Sequence, residues 1–489
     1  MSRLRAIRVF IPCAAVLLFV AMLPQCGSLG FGARDFEKVS ENGFDAADNE
    51  VDHNDYAWAM RYFQADGAED GYVYVGTGNN IANLIYYYFT TLASGGEILD
   101  APVTPPEIRR YRPDQGPTTW ERVLDYRDVQ NEGEYQTTGF RFMGTYEAVV
   151  DTKGDLVRAN YLYAATQGLE SELWRSRTGD AGDWEVVFTT GEYGPSIRYF
   201  CTHKGKMYLA MAYDTFEQDP HPGELWVSDD GLNFTPVMQD GFGNANNRGV
   251  EFVVSFNGWL YAGTKNDVEG YEIWKLDGPE GGTDFVKVVD KGATDPVNEI
   301  AGTPVIFKDH LYVGSIIFFG FNPQQMQGFK GCDIIRLDTD DNWDVVVGPH
   351  STSGYDSGFN YFTNAYCWWM EEHDGWLYAG TWDQGTVLSW ILDNIPELIE
   401  FVQSAGGDEK AVLQELERLD LLYTGTHAGA DIFRTQDGDH WIPVTTTGFD
   451  TPGNYGWRTM ESTPDGYLYL GSANPVDGLE VWRAKTPED

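Results

Sequence analysis

The sequence has little positive charge. It holds 33 Lys and Arg residues against 75 Asp and Glu residues, a formal net charge of -42 with a pI of about 4.3. Because attraction to phosphate requires a basic surface, this composition argues against nucleic-acid binding. The excess carboxylates predict a solvated acidic surface, and as hard oxygen ligands they leave Ca²⁺ open as a cofactor. The chain shows neither an EF-hand loop nor glycine-rich Ca²⁺ repeats, so no cofactor is evident.

Cysteine is also scarce, and its spacing gives no metal signature. Of the five cysteines, Cys13 lies in an N-terminal apolar segment and Cys26 closely follows that segment. The remaining Cys201, Cys332 and Cys367 show no Cys-x-x-Cys spacing, which argues against zinc, haem and redox sites. We expect them to be buried as small apolar side chains. A nucleophile elbow, a phosphate-binding loop and a His-Glu-x-x-His zinc motif are absent as well.

The N-terminus has the features of an export signal. Three arginines precede an apolar run over residues 9–23, which is too short and too early for a membrane-spanning helix and typical of a signal peptide. We therefore assign residues 1–26 to the signal and residues 27–34 to a linker. Export to the bacterial cell envelope or to the outside of the cell is expected.

The end of this signal leaves two outcomes open. Cys26 follows Leu23-Pro24-Gln25, which resembles a bacterial lipoprotein signal except at Gln25, where a small residue is usual. A lipid on Cys26 would hold the protein at a membrane surface without spanning it. The alternative is ordinary cleavage near residues 27–32.

One short pattern recurs along the chain and sets its organisation. Leu-Tyr-x-Gly-Thr, or a close variant, appears roughly seven times at intervals of tens of residues, as in propellers and solenoids. One β-rich run precedes each copy, and two follow it, the first of which often carries Glu-x-Trp-Arg. Four short strands per repeat, separated by Gly, Asp and Asn turns, predict an all-β, seven-bladed β-propeller of four-stranded blades. The copies begin at Tyr72, Tyr161, Lys206, Trp259, His310, Trp376 and Tyr467.

The last repeat lacks its fourth strand. It stops at Val481-Trp482-Arg483, and a counterpart of the missing strand lies at the other end of the chain, in Asp35-Phe36-Glu37-Lys38-Val39. We predict that this N-terminal strand completes the last blade, because closure of this kind leaves no free sheet edge. The propeller then spans residues 35–489.

Two long insertions interrupt the repeats, over residues 79–106 in the first blade and 384–429 in the sixth. Apolar residues from Val412 to Leu419 recur at helical spacing, so the second insertion is predicted to be a small helical one. Both insertions join the second strand of a blade to the third and therefore rise from the same face. Since long loops on a rigid scaffold commonly carry function, we predict a groove between them, above the seventh blade.

The starts of the first strands face the same side and line the central opening of the ring. Guanidinium groups that converge there would pair with the carboxylate or sulfate oxygens of an acidic sugar. The alternative is structural, with polar groups that pair across the opening through ordered water. The candidate ligand-binding residues are Arg141, Arg198, Arg248, Glu251, Glu299, Asn364 and Trp457.

Two reaction types are compatible with these residues. A lyase needs a base beside a carboxylate that arginine neutralises. The candidate bases are His53, Tyr366, His427 and Tyr455. A hydrolase needs two carboxylates at a defined separation, for which Glu251, Glu299 and Asp383 are candidates. The sequence gives no separation, so the question of enzymatic activity stays open.

Two turns resemble the Asp-box of sialidase-like propellers. They are Ser228-Asp229-Asp230-Gly231-Leu232-Asn233-Phe234 and Thr435-Gln436-Asp437-Gly438-Asp439-His440-Trp441, each one residue tighter than the usual pattern. The resemblance implies a fold and not an activity, because Arg141, Arg198 and Arg248 do not match a sialidase arginine triad. The whole repeat is also similar to secreted bacterial propellers with Leu-Tyr-x-Gly-Thr and Glu-Ile-Trp-Arg signatures, which imply no particular activity.

We therefore expect a secreted or cell-surface propeller that binds a small molecule, a glycan or a protein through its insertion-bearing face. The alternative is a glycan-active enzyme, either a polysaccharide lyase or a glycoside hydrolase, that uses the same face. Propellers host both functions, so the fold does not decide between them. Contact with a membrane is expected only through an N-terminal lipid.

Overall fold

The computed structural model describes most of the repeat region of the chain. The described residues are 30–44, 54–79, 81, 105–114, 116, 119–129, 137–152, 155–213, 221–276, 284–318, 330–386 and 428–485. The signal segment with Cys26, His53, His427, the predicted helices and most of both insertions lie outside these residues. Within the described ranges, no helix has the length and apolar character needed to cross a membrane.

The described residues fold almost entirely into antiparallel β-strands. Short 3-10 helices cover Ala33–Asp35, Tyr126–Asp128, Gly241–Gly243 and Ser357–Asn360. The strands are β1 (Glu37–Lys38), β2 (Asn54–Phe63), β3 (Tyr72–Asn79), β4 (Glu107–Tyr111), β5 (Glu121–Asp125), β6 (Thr137–Thr152), β7 (Asp155–Gly168), β8 (Glu172–Ser176), β9 (Trp184–Thr189), β10 (Ser196–His203), β11 (Lys206–Ala212), β12 (Glu224–Ser228), β13 (Thr235–Met238), β14 (Gly249–Phe256), β15 (Trp259–Lys265), β16 (Ile273–Leu276), β17 (Phe285–Val289), β18 (Ile300–Phe307), β19 (His310–Ile316), β20 (Ile334–Leu337), β21 (Trp343–Val347), β22 (Asn364–His373), β23 (Trp376–Asp383), β24 (Ile432–Thr435), β25 (Trp441–Thr445), β26 (Gly456–Ser462), β27 (Tyr467–Ala473) and β28 (Val481–Lys485).

Hydrogen bonding groups these strands into sets of four. Strands β2 to β5 pair in order, as do β6 to β9, β10 to β13, β14 to β17, β18 to β21 and β22 to β25. Strands β26 to β28 form the last set with β1, in which Glu37 lies opposite Arg483 and Lys38 opposite Trp482. The first strand of each set packs beside the first strand of the next, and β26 packs beside β2. This is the propeller-like, all-β architecture that the repeats predict.

The Gly and Thr of the repeat hold each set together and hold it against its neighbour. A Cβ on Gly380 would lie 2.7 Å from the Cβ of Trp457 in the next first strand, so only glycine fits there. The hydroxyl of Thr381 accepts a hydrogen bond from the backbone N–H of Asp431 at 2.9 Å, and Thr264 accepts one from Glu272 at 2.8 Å. The pattern is therefore a packing signature.

The acid and the Trp of Glu-x-Trp-Arg also have structural partners. The carboxylate of Glu272 accepts hydrogen bonds from Asn247 Nδ2 at 2.7 Å and from Trp274 Nε1 at 2.9 Å. Glu480 accepts the same two kinds of bond in the last set, from Asn454 and from the following Trp. Each buried carboxylate thus connects the segment between two sets to the third strand of a set. Its oxygen atoms receive the hydrogen bonds that buried polar groups require.

The turns that resemble an Asp-box are structural as well. The Asp230 carboxylate accepts hydrogen bonds from the backbone N–H groups of Leu232 and Asn233, each at 2.8 Å. Although burial raises the pKa of Asp230, these bonds lower it to about 2. The hydroxyl of Tyr163, from the repeat of the preceding set, donates to the carbonyl oxygen of Gly231 at 3.1 Å. Of the three cysteines in the described ranges, Cys332 and Cys367 are buried and Cys201 is half-buried.

Candidate functional site between the first strands

Every first strand carries a β-bulge at the same place against its second strand. In β10, Ile197 lies opposite Met211 and Tyr199 lies opposite Ala210, which leaves Arg198 as the extra residue. A bulge turns one side chain out of the regular alternation of a strand, and bulges are frequent beside functional sites. We call these extra residues the bulge ring. Its members are Trp58, Arg141, Arg198, Glu251, Gly302 with Thr303, Trp368 and Arg458.

The ring residues of six first strands line one cavity. Its volume is about 50 Å³, which at roughly 10–15 Å³ per water molecule is room for only a few waters or one small group. Phe142, Tyr199 and Trp369, each one residue further along its strand, line the cavity too. The cavity therefore has both charged and aromatic walls.

The charge in the bulge ring is mostly positive, in a protein that is strongly negative overall. Three guanidinium groups meet one carboxylate there, and Arg198 Nε lies 3.9 Å from Glu251 Oε2. The second arginine, Arg141, is half-buried, with its guanidinium 5.3 Å from the ring centroid of Trp58. Such stacking stabilises an arginine but does not neutralise its charge.

Arg458 is buried against two tryptophans of the neighbouring first strand. It is 7% exposed, and its guanidinium carbon lies 5.4 Å and 5.8 Å from the ring centroids of Trp368 and Trp369. Its buried Nε has no hydrogen-bond partner among the residues that the structure describes. Burial lowers the pKa of Arg458 well below its usual value, and the neighbouring charges of Arg141 and Arg198 lower it further. A buried guanidinium with an unsatisfied N–H is destabilising unless an acceptor joins it.

Buried aromatic residues adjoin the ring near the start of its strands. The hydroxyls of Tyr56 and Tyr455 hydrogen-bond to each other, and the rings of Tyr366 and Trp382 stack with centroids 4.6 Å apart. Tyr56 also packs edge-on against Trp368. Burial raises the pKa of both Tyr56 and Tyr455 above the usual value for tyrosine. These phenols therefore hold their protons more tightly than free tyrosine does.

A second layer of charge lies three residues beyond the bulges, toward the other end of the strands. Arg61 Nη1 lies 3.5 Å from Glu461 Oε2, and the backbone N–H of Tyr62 donates to the other oxygen at 2.9 Å. Burial raises the pKa of Glu371 to about 8, and the charge of Glu461 raises it while that of Arg61 opposes the shift. None of these three charged residues lines the cavity described above.

The structure brings together three of the residues predicted to bind a ligand. Arg141, Arg198 and Glu251 line the same cavity. The two predicted bases that the structure describes, Tyr366 and Tyr455, lie beside it in the buried aromatic cluster.

The other four predicted ligand-binding residues lie outside the cavity. Arg248 Nη1 is 3.3 Å from Asp267 Oδ2 in the link before β14. Glu299 is 5% exposed and accepts a hydrogen bond from the backbone N–H of Phe318, and burial raises its pKa to about 8.

Asn364 and Trp457 have structural partners. Asn364 Nδ2 donates to the Asp431 carboxylate at 2.7 Å, as its counterparts do in other sets. Trp457 is fully buried, and its Nε1 donates to the carbonyl oxygen of Ala430 at 3.0 Å. The predicted hydrolase residue Asp383 is buried too, where it accepts a hydrogen bond from the backbone N–H of Gly385 at 3.0 Å.

Sequence reasoning missed Arg458, Trp58 and Trp368. Strict alternation along β26 favours Trp457 as the residue that faces the opening, but the bulge gives that place to Arg458. The sequence does contain a signal for the residues that face the cavity, because a charged residue occupies the same place in four first strands. The first strands align as Phe140-Arg141-Phe142, Ile197-Arg198-Tyr199, Val250-Glu251-Phe252 and Trp457-Arg458-Thr459.

Metal ligands are not gathered in the part of the chain that the structure describes. No group of three or more His, Cys, Asp or Glu side chains there has the arrangement needed to hold a metal ion. Ca²⁺ as a cofactor stays the open alternative that the sequence leaves.

Comparisons with known proteins give no family. No protein-family model matches the chain, and no curated protein matches it. Among solved structures, the chain is similar to a prolyl endopeptidase, with 10% identity and a TM-score of 0.38 over 89% of this chain and 51% of that one. It is similar to a puromycin hydrolase, with 10% identity and a TM-score of 0.44 over 92% and 55%. It is also similar to an exo-β-1,3-galactanase from Phanerochaete chrysosporium, with 10% identity and a TM-score of 0.29 over 56% and 61%.

The chain thus spans about half the length of the endopeptidase and about three fifths of the galactanase. Similarity at this level supports no conclusion about activity or about the site.

Proposed function

We propose that the chain is a seven-bladed β-propeller that binds a ligand in the cavity between its first strands. In this proposal each set of four strands is a blade, and β1 closes the ring by completing the last one. The pairing of β1 with β28 supports closure, together with the ion pair of Lys38 Nζ with Glu480 Oε1 at 3.0 Å. Closure of this kind removes the free edges that an open sheet would expose.

The charged residues of the bulge ring are the observation that supports a binding function. Packing between blades requires only apolar or small residues, as the Gly and Ala positions of the repeat illustrate. The ring instead places Arg141, Arg198 and Arg458 around one cavity, where they repel one another. Burying like charges is unfavourable for folding, so a cluster of this kind is a candidate for function.

Binding is favoured over catalysis by the state of the adjacent tyrosines. A tyrosine that acts as a base at neutral pH needs a lowered pKa, whereas burial raises the pKa of Tyr455. Its hydroxyl is also engaged by Tyr56. A glycan-active enzyme that uses the insertion-bearing face remains the alternative function.

The position of residues 30 and 31 in the fold bears on how a lipid anchor would orient the protein. We propose an exported protein, held at a membrane when Cys26 carries a lipid. The backbone N–H of Phe31 donates to the hydroxyl of Tyr378 at 2.7 Å, and Gly30 packs against Trp376 at the start of β23. The two insertions begin at the opposite end of the second strands, after β3 and β23. A lipid four residues before Gly30 would therefore leave the insertion-bearing side facing away from the membrane.

Binding to a panel of acidic and neutral glycans tests the proposal. Calorimetry would report binding, ultraviolet absorbance would report unsaturated lyase products, and a reducing-end assay would report hydrolysis. Arg198→Ala should weaken binding at least tenfold, about the 1.4 kcal/mol that one charge-assisted hydrogen bond contributes. Arg248→Ala is the matched control, because its partner is Asp267 outside the cavity, and it should bind as the wild type does.

Three results would count against the proposal. Binding that survives Arg198→Ala would place the ligand elsewhere. Turnover on any member of the panel would favour the enzyme alternative. No binding to any member would refute a glycan ligand.

A further inference from the structure

We infer that the bulge ring is a receptor for one carboxylate group of the ligand, held chiefly by Arg458. This inference rests on the proposed function and names the chemistry of the group that the cavity accepts. The buried Nε of Arg458, which has no acceptor within the described residues, is the reason to look for an anion. Arginine retains its proton in proteins, so the buried charge must be met by an acceptor rather than discharged.

The size of the cavity restricts the anion to a compact group. Its volume of about 50 Å³ accommodates a carboxylate but not a whole sugar ring. A carboxylate is also planar and matches the two parallel N–H groups of a guanidinium fork. The body of an acidic ligand would have to remain outside, with only its charged end between the first strands.

The size of the cavity favours a carboxylate over a bulkier dianion such as sulfate or phosphate. Glu251 lies in the same cavity as Arg458, 3.9 Å from Arg198, and offsets one of the three positive charges. The additional oxygen atoms of a tetrahedral dianion would need more room than this cavity has, and Glu251 would repel part of their charge.

The small size of the group also limits its affinity. At the highest affinity per atom known for very small ligands, acetate with its four non-hydrogen atoms would bind no more tightly than about 40 µM. At a hundredfold excess over Kd, binding would raise the Tm of a domain of this size by about 3 °C. Both values are measurable with the free ion.

Thermal unfolding of the purified protein in sodium acetate and in sodium glucuronate tests the inference. Sodium chloride at equal ionic strength and neutral glucose are the reference conditions. We expect both carboxylates to raise the Tm of the wild type, and Arg458→Met to remove this response. We also expect Arg458→Met to melt at or above the wild-type temperature when no carboxylate is present, since it removes a buried charge whose Nε has no acceptor within the described residues.

Arg110→Met is the matched control. Arg110 is 8% exposed and stacks on Tyr72 at 4.3 Å, but it donates to Glu121 at 2.8 Å and to Asp180 at 2.7 Å. Its replacement should lower the Tm and leave the carboxylate response unchanged. The two variants remove the same group from similar burial and differ in the pairing of its charge.

Several results would overturn the inference. They are a wild-type Tm that does not respond to carboxylates, an equal response in Arg458→Met, and a response to sulfate or phosphate without one to acetate. Failure of the proposed function would look different. Neutral glycans that bind the wild type and Arg458→Met equally well would refute the carboxylate receptor and retain a binding protein. A panel in which nothing binds would refute a glycan ligand, whereas the Tm response to acetate would still test the carboxylate receptor.

Discussion

Removal of the N-terminal strand is predicted to destabilise the whole protein. Deletion of residues 30–39 takes away Phe31, Phe36 and Val39, which are 4%, 7% and 0% exposed. Complete burial of each such side chain contributes about 1.5–3 kcal/mol, so the deletion should cost roughly 5–9 kcal/mol. Since domains are commonly stable by about 5–15 kcal/mol, the shortened protein should be largely unfolded or melt far below the wild type.

Unfolding in urea, followed by tryptophan fluorescence, gives the measurement. Val39 is held beside the last strand by its backbone N–H, which donates to the carbonyl oxygen of Val481 at 2.8 Å. Val39→Ala keeps this bond but leaves a cavity, so it should cost about 1–3 kcal/mol. Glu37→Ala is the control for the same strand. Glu37 pairs with Arg483 at 2.9 Å but its side chain is 66% exposed, so its loss should cost less than about 1 kcal/mol. A deletion variant that unfolds at the wild-type urea concentration would refute the role of this strand.

Three further predictions concern the frame around the site. Asn364→Ala should cost about 1.5–3 kcal/mol in urea unfolding, because it removes the hydrogen bond that Asn364 donates to the buried Asp431 carboxylate at 2.7 Å; unchanged stability would contradict this structural role. Gly380→Ala should cost at least about 1–3 kcal/mol, since its Cβ would lie 2.7 Å from Trp457 Cβ, and a neutral effect would contradict this packing. The pKa of Glu371 is raised to about 8 in the folded protein from about 4.3 in the unfolded chain. Its stabilising effect is therefore complete below the unfolded pKa and disappears as the pH rises through 8, so the wild-type Tm should fall more than that of Glu371→Gln between about pH 5 and 9. Equal pH profiles for the two proteins would show that this carboxyl group does not titrate as described.

The all-β architecture could be predicted because each residue of the repeat has its own contact. The Gly of the repeat is required where two first strands approach, and the Thr hydroxyl holds the start of the third strand, as Gly380 and Thr381 show. Requirements of this kind recur in set after set and therefore produce a periodic pattern in the sequence. The pairing of Glu37 and Lys38 with the last strand left such a mark too, since their segment resembles an outer strand.

The site was predicted less completely because its geometry depends on the bulges. In a regular strand, neighbouring side chains point to opposite faces, so a shift of one residue reverses every assignment. The bulge in β26 makes this shift between Trp457 and Thr459, and it replaces a predicted tryptophan by Arg458 at the cavity. Asn364 lies outside the cavity for a different reason. A buried asparagine that binds a neighbouring carboxylate has the same residue type and position as one that binds a ligand.

A crystal structure of the protein soaked with glucuronate, grown without sulfate or phosphate, would show directly whether the bulge ring holds a carboxylate. We expect the carboxylate of the ligand between the first strands, with an oxygen within hydrogen-bond distance of the Arg458 guanidinium and close to Arg198. A cavity that holds only water while glucuronate is bound elsewhere on the protein would contradict this expectation.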